Sequence, residues 1–253
     1  MTVMIRRNTA FVASLVLAVS AGLASGIASG QASPERIVSV VPALTETLFA
    51  IGAGDDVVGV GTFDTHPPEV ATRTRVGGLL DPDMEQIFAL RPDLVVFHGS
   101  QQDQIEQVTR AGIDTFTYVH GGVDDTLTVI RRLGARTDRQ ADAEQLAASI
   151  EDRLAELRTR LAGRDRPRVL LVFGREPGSL RNVYASGGTG FLHDMLEAAG
   201  GKNVFAELPR ESLPLTSEAI LTAAPDVIVE LTYDERMAAS SQASEIAVWD
   251  RLS

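Results

Sequence analysis

From Arg36 onward, short apolar runs rich in β-branched residues alternate with stretches whose apolar positions recur every three or four residues. That alternation predicts an α/β protein with mostly parallel strands. Arg36–Val41, Val57–Gly61, Asp93–Phe97 and Asp114–Val119 read as strands. Thr45–Ile51, closed by Gly52 and Gly54, reads as a helix, as do Asp83–Leu90 and Asp124–Leu133, the last stopped by Gly134. Ser100, with Asp103 following, is expected to cap another helix that Gly112 ends.

Thr137–Gly163 breaks the rhythm. Ala143, Leu146, Ala147, Ile150, Leu154, Leu157 and Leu161 form one apolar stripe at helical spacing, and Thr137 with Gln140 reads as a capping box. About 25 residues at ~1.5 Å each make a rod of roughly 38 Å, longer than one small lobe requires. Arg166 and Pro167 then restart the β pattern with Arg168–Phe173. The expected division is a first lobe at 33–136, a connecting helix at 137–163 and a second lobe at 164–253; the alternative is a surface helix within one domain.

An internal echo favours two lobes. Glu85-Gln-Ile-Phe-Ala-Leu-Arg-Pro-Asp-Leu-Val-Val and Glu218-Ala-Ile-Leu-Thr-Ala-Ala-Pro-Asp-Val-Ile-Val share their spacing. Each phrase starts a helix with Glu in its first turn, stops it with Pro and enters a buried strand after Asp. Local helix-dipole stabilisation explains either Glu alone. It does not explain why both recur within the same longer phrase.

The start of the chain reads differently. Arg6 and Arg7 precede an apolar run of about 15 residues, shorter than the ~20 a bilayer span needs. Small residues follow, and no acid appears before Glu35. Residues 1–32 are therefore expected to be a secretory signal peptide, with an uncleaved anchor as the alternative. The chain holds 23 basic and 34 acidic residues, a formal charge of −11, and no cysteine. That field is a poor match for nucleic acid or an anionic membrane. The missing cysteine excludes disulfides, thiolate zinc sites, thiol catalysis and a lipid anchor on a mature N-terminal cysteine. A monomeric periplasmic protein without a lipid anchor is expected.

The phrases Arg36-Ile-Val-Ser-Val-Val-Pro-Ala-Leu-Thr-Glu, Val76-Gly-Gly, Leu90-Arg-Pro-Asp-Leu-Val, Gly200-Gly-Lys-Asn-Val-Phe and Ala224-Pro-Asp-Val-Ile-Val stand in order along the chain. They resemble the periplasmic substrate-binding proteins of ABC importers, in the helical-backbone class that carries cobalamin, haem or ferric siderophores. The cobalamin-binding subgroup is the nearest likeness. The resemblance implies two Rossmann-like lobes joined by one long helix, a metal-chelate ligand in the cleft, and no catalytic cofactor or enzymatic turnover. It also implies that Glu85 and Glu218 dock the two lobes onto a membrane permease. The family continues past the Trp249 region, so a trimmed or truncated second lobe is expected here.

Ligands of open parallel sheets bind beyond the carboxyl ends of the strands. His66, His98 and His120 fall at such ends, where imidazole can ligate iron, zinc or cobalt or serve as a polar loop residue. His66 stands where cobalamin-binding relatives often carry tyrosine, and is the candidate metal ligand. His193, within the helical pattern Phe191–Ala199, reads as a surface or capping residue. Pro42, Ala43 and Thr45 open the first helix and are expected to offer backbone donors to an acidic group. Arg175 can pair a carboxylate, Tyr184 can stack on a macrocycle, and Trp249 falls where the family tends to place an aromatic near the cleft. Ser186–Gly190 lacks the features of a phosphate loop. No nucleophile elbow, His-Glu-x-x-His or dinucleotide fingerprint is present, leaving a metal-handling enzyme as the competitor from another class.

Overall fold

The computed structural model describes residues 33–232 and 239–252; the expected leader, residues 1–32, lies outside them. Two sheets organise the chain. The first orders β3 (Thr74–Arg75), β2 (Val57–Val60), β1 (Ile37–Ser39), β4 (Leu94–His98) and β5 (Asp114–Tyr118), all parallel. Its central strands β1 and β4 are buried on both faces except at His98, which is why they read as near-continuous apolar runs, interrupted in β1 only by the buried Ser39. Crossovers include α1 (Pro42–Ala50), α2 (Met84–Ala89) and α3 (Gln102–Arg110).

Helix α4 (Val123–Arg136) is followed by α5 (Gln140–Leu161) after a tight turn. The sequence expectation fails in detail here. Gly134 does not stop α4, which runs on to Arg136; it is buried in the helix because a side chain there would collide with Ala143 of α5. Thr137 does not cap α5 either. Its hydroxyl donates to the Leu133 carbonyl at 2.9 Å, closing α4 instead. Asp138, at φ 57°, makes the turn, and α5 starts from Arg139 without a side-chain cap.

The apolar stripe of α5 is present from Ala143 to Leu154. Ala143, Ala147 and Leu154 enter the core of the first sheet, with Leu146 and Ile150 packed against it. Twenty-two residues make a rod of about 33 Å. Gly163, at φ 75°, follows its end. Ala198 of α6 (Phe191–Ala198) joins the same core cluster, so the second half of the molecule is anchored to this helix layer.

The second sheet orders β10 (Val227–Glu230), β6 (Arg168–Gly174), β7 (Val183–Ser186) and β9 (Ser212–Leu215), with β8 (Lys202–Asn203) beside the start of β6. β10 and β8 run parallel to β6, whereas the β6–β7 and β7–β9 pairs are antiparallel. A connection of eight residues, 175–182, replaces a helical crossover between β6 and β7, and so short a link permits only antiparallel pairing. Alternation along β6 sends Leu170 and Val172 to one face with Val183, Ala185 and Ile220 of α7 (Ser217–Ala223), and Val169 and Leu171 to the other with Leu196. On the Leu196 face Val227 and Val229 stay 43% and 38% exposed, so this core is thinner than the first. Helix α8 (Ala239–Ile246) and a final 3₁₀ turn complete the described chain.

Close approach at Gly134 makes a specific demand on sequence. Gly134→Val should lower stability by about 1–3 kcal/mol through overpacking against Ala143, read as a fall in the urea midpoint without a change in slope.

Candidate functional site

The carboxyl edge of the first sheet carries a set of groups with little else to cover them. β2 leads to Phe63, 74% exposed; β3 leads to Leu80, 92% exposed; β5 leads to Val119, 65% exposed. Phe63 approaches the backbone of Gly78, where a side chain would meet its ring at 3.3 Å. Between them β4 ends in His98, and β5 in Tyr118 followed by His120. The rings of His98 and His120 lie 5.3 Å apart, and Tyr118 is 5.1 Å from His120 with its hydroxyl 3.0 Å from Nδ1.

Local geometry fixes what His98 can do. Its Nδ1 accepts the Ser100 backbone N–H at 3.1 Å and lies 2.8 Å from the Ser100 hydroxyl. Ser100 therefore serves the histidine rather than capping α3, whose N-cap position is Gln101. Burial, aided by His120, holds the His98 imidazole below its ordinary pKa. The neutral ring then carries its proton on Nε2 and presents a hydrogen-bond donor, not a lone pair for metal. Gln101, almost fully buried, locks this corner by accepting from His98 N at 2.8 Å and donating to Leu79 O at 3.0 Å. Burial also pushes the Tyr118 hydroxyl up, reinforced by the nearby charges of Glu211 and Asp125.

The three strand-end histidines do not converge. His66 is exposed and lines a separate groove with Glu46, Glu69, Thr126 and Ile150. Among the described residues no group of three or more His, Asp or Glu is placed to hold a metal ion. At the start of α1, Pro42 has no N–H and the Thr45 N–H donates to Val41 O at 2.9 Å. Only Ala43 of the expected trio has an amide to offer in that first turn. The Thr45 hydroxyl donates to Ser39 Oγ at 2.8 Å, and both are buried. Beside them Asp64 is 1% exposed; burial raises its carboxyl above the usual range, tempered by Thr45, Gly61 and Arg75.

The start of α6 meets the start of α4. Asp194 of α6 accepts the Val123 N–H at 2.8 Å, so a carboxylate beyond the connecting helix caps α4. Gly122 leaves it room, since a side chain there would collide with the Asp194 carboxylate. The Ser186–Gly190 loop leads into α6 through Gly190 at φ 89°, against which Glu211 packs. Asn203 braces the loop by donating to Ser186 O and Gly187 O at 3.3 and 2.8 Å. His193, half-buried, lies 3.3 Å from the same amide, in keeping with a structural role. Tyr184 and Phe191 remain 44% and 46% exposed.

A sequence model described as "Periplasmic binding protein" matches residues 37–245. The chain belongs to that family. A vitamin B12-binding protein of Salmonella typhimurium is 31% identical over 196 residues, 77% of this chain and 71% of that one. The periplasmic heme-binding protein RhuT from Roseiflexus sp. RS-1 superposes with a TM-score of 0.70 at 27% identity, covering 87% of this chain and 88% of that one. The periplasmic vitamin B12 binding protein BtuF of Vibrio cholerae shares the fold at a TM-score of 0.67 and 23% identity, covering 87% and 86%. Family members of this kind act as substrate-binding components of ABC transporters.

In this periplasmic binding protein Arg175 and Trp249 belong to an ion cluster of the second lobe. The Arg175 side chain is 3% exposed and pairs with Glu230 at 2.7 Å and Glu245 at 2.8 Å. It stacks 5.5 Å from the Trp249 ring, whose Nε1 donates to Glu230 at 2.9 Å. Two carboxylates already match its charge, so the guanidinium is not free for a ligand carboxylate as the sequence had suggested. Glu245 also accepts the Gly178 N–H, which with Arg175 holds its carboxyl below the usual range despite some desolvation. Glu85 and Glu218 are both exposed in the first turns of α2 and α7.

Tyr118 and Glu211 were not singled out by sequence. Only Tyr118, two residues before His120, had a local signal. Trp249 is the sole tryptophan and reports on the ion cluster directly. A depressed carboxyl stabilises the fold above its unfolded-state pKa, near 4.5 for Glu245, and that contribution is lost as pH falls through the lower folded value. Trp249 emission should therefore stay constant near neutrality and shift to the red as pH drops below about 4.5. Arg175→Met should produce the red shift already at pH 7.

Proposed function

We propose that this chain captures a cobalamin-type corrinoid between its two lobes and delivers it to the membrane permease of an ABC importer. The observation that carries this reading is the edge formed by His98, Phe63, Leu80 and Val119. It offers a fixed Nε2 donor amid exposed apolar surface, suited to a large macrocycle fringed with amide carbonyls. Similarity to vitamin B12-binding proteins supports the same ligand.

Residues 33–136 and 164–253 act as the ligand-holding lobes in this reading, and 137–163 as their connector. Pro42, Ala43, Thr45, His66, His98 and Tyr184 are assigned to the ligand side, with Pro42 shaping the wall, the buried Thr45 supporting it from behind and His66 approaching from the groove it shares with Ala43. Arg175 and Trp249 act behind it as support. Glu85 and Glu218 dock on the permease, where charge-assisted pairs at both tips fix register. The protein works as a periplasmic monomer after removal of residues 1–32, without catalytic turnover.

A haem or ferric-siderophore cargo is the second reading. The Tyr118–His120 pair and the likeness to a heme-binding protein favour it. Sequestration of Arg175 counts against it, because haem propionates call for an accessible cation.

Titration of the purified protein with cyanocobalamin, haemin and ferric chelates separates these cargoes. One equivalent of cyanocobalamin should bind with a perturbed visible spectrum; tighter haemin binding would transfer the assignment, and binding of none would sink both. His66→Ala should leave that spectrum unchanged, and a shifted spectrum would instead place His66 on the cobalt. Glu85→Ala and Glu218→Ala should preserve ligand affinity while each weakens permease-dependent uptake by about tenfold or more, the scale of removing one charge partner. A loss of ligand affinity instead would refute the docking role.

A further inference from the structure

The two lobes differ in strand direction and core size, yet one constellation recurs in both almost atom for atom. In the first, the Arg36 guanidinium donates to Leu90 O through Nε and Nη2 at 3.0 and 2.7 Å, and to Arg91 O at 3.2 Å. The Arg36 amide donates to the Asp93 carboxylate at 3.1 Å, and Asp93 N returns a bond to Arg36 O at 3.0 Å. In the second, Arg168 donates through Nη2 to Ala223 O at 2.6 Å and through Nε to Ala224 O at 3.4 Å. Its amide donates to the Asp226 carboxylate at 2.8 Å, and Asp226 N returns the bond to Arg168 O at 2.8 Å.

The acceptors correspond too. Leu90 and Ala223 occupy the same place relative to Glu85 and Glu218, as do Arg91 and Ala224. Both of the latter take left-handed φ values, 47° and 43°, which non-glycine residues rarely adopt. Each lobe thus accepts the same backbone strain to swing its helix into a Pro–Asp step. At their other ends α2 and α7 carry matching caps: Asp83 accepts Gln86 N at 2.9 Å, and Thr216 accepts Ala219 N at 3.2 Å.

Helices of six and seven residues do not hold their shape alone. Their orientation, and with it the direction in which each exposed glutamate points, depends on what grips their ends. Arg36 and Arg168 stand at the amino ends of β1 and β6, the opposite sheet edge from the ligand, so neither can act by touching cargo. We infer that Arg36 and Arg168 are positioning residues that mount Glu85 and Glu218 as two equivalent, rigid prongs for a partner engaging both lobes at once. This rests on the permease-docking reading above.

The test uses the whole protein with its ABC permease in proteoliposomes and radiolabelled cyanocobalamin as cargo. Arg36→Met and Arg168→Met keep the side-chain stem and remove the donors. Both variants should bind cyanocobalamin within about twofold of wild type. Combined, they should raise the concentration of binding protein needed for half-maximal uptake about tenfold at unchanged maximal rate. Amide exchange in α2 and α7 should quicken, and the Lys variants, whose ammonium still reaches a carbonyl, should recover part of the loss. An unchanged uptake curve despite faster exchange would overturn the inference. So would cyanocobalamin affinity falling in step with uptake, which would mark the arginines as structural. If Glu85→Ala and Glu218→Ala themselves leave uptake intact, the docking reading fails first.

Discussion

Relative placement of the two sheets rests on how closely α5 can lie against α4. That approach is set where Gly134 meets Ala143, a site with no room for another methyl group. Thr137 and Asp138 reverse the chain in a few residues, and the rod packs on the first core from its first turn, at Ala143. Ala143, Ala147 and Leu154 then commit one side of the rod to the first lobe, and Ala198 brings α6 into the same layer. Everything beyond residue 164 is carried on that alignment. The Asp194 carboxylate reaches the α4 amide because the rod delivers α6 to that spot.

Electrostatics marks out a supporting interior in the second lobe. The obvious cation, Arg175, lies in the interior, matched by Glu230 and Glu245 and covered by Trp249. An isolated buried guanidinium would be costly, and the pairing removes that cost while tying the final segment to the β6–β7 connection. Glu211, Tyr184 and Phe191 stay exposed instead. On the proposed reading, a ligand there is gripped by shape and by neutral hydrogen bonds more than by cationic side chains. His98, locked as a donor by Ser100, fits the same pattern.

Most of the architecture was legible because it follows from periodicity. Near-continuous apolar runs gave the central parallel strands, the three-and-four stripe gave α5, and the repeated Glu…Pro-Asp phrase gave two corresponding helices. Errors arose where one residue type serves two geometries. Gly134 looked like a helix stop and is a packing notch, while Thr137 looked like an N-cap and closes the preceding helix. Ser100 looked like a cap and orients a histidine. Each choice is made by a neighbour remote in sequence or by one hydroxyl rotamer, neither of which spacing encodes. The site was less legible for the same reason. His98 and His120 meet because β4 and β5 are adjacent and end together, and His66 lies off that line. Arg175 was misread because Glu230 and Glu245, far along the chain, had first claim on it.

The unequal thickness of the two cores has a dynamic consequence. The first sheet closes over one continuous apolar mass, whereas the second splits its burial between two small clusters and leaves part of β10 bare. Local opening free energies follow such differences, so the two halves form cooperative units of unequal strength joined by one helix. The weaker half should breathe while the stronger stays closed. A molecule seated between them would then act as a brace, shifting free energy into the half that has less of its own.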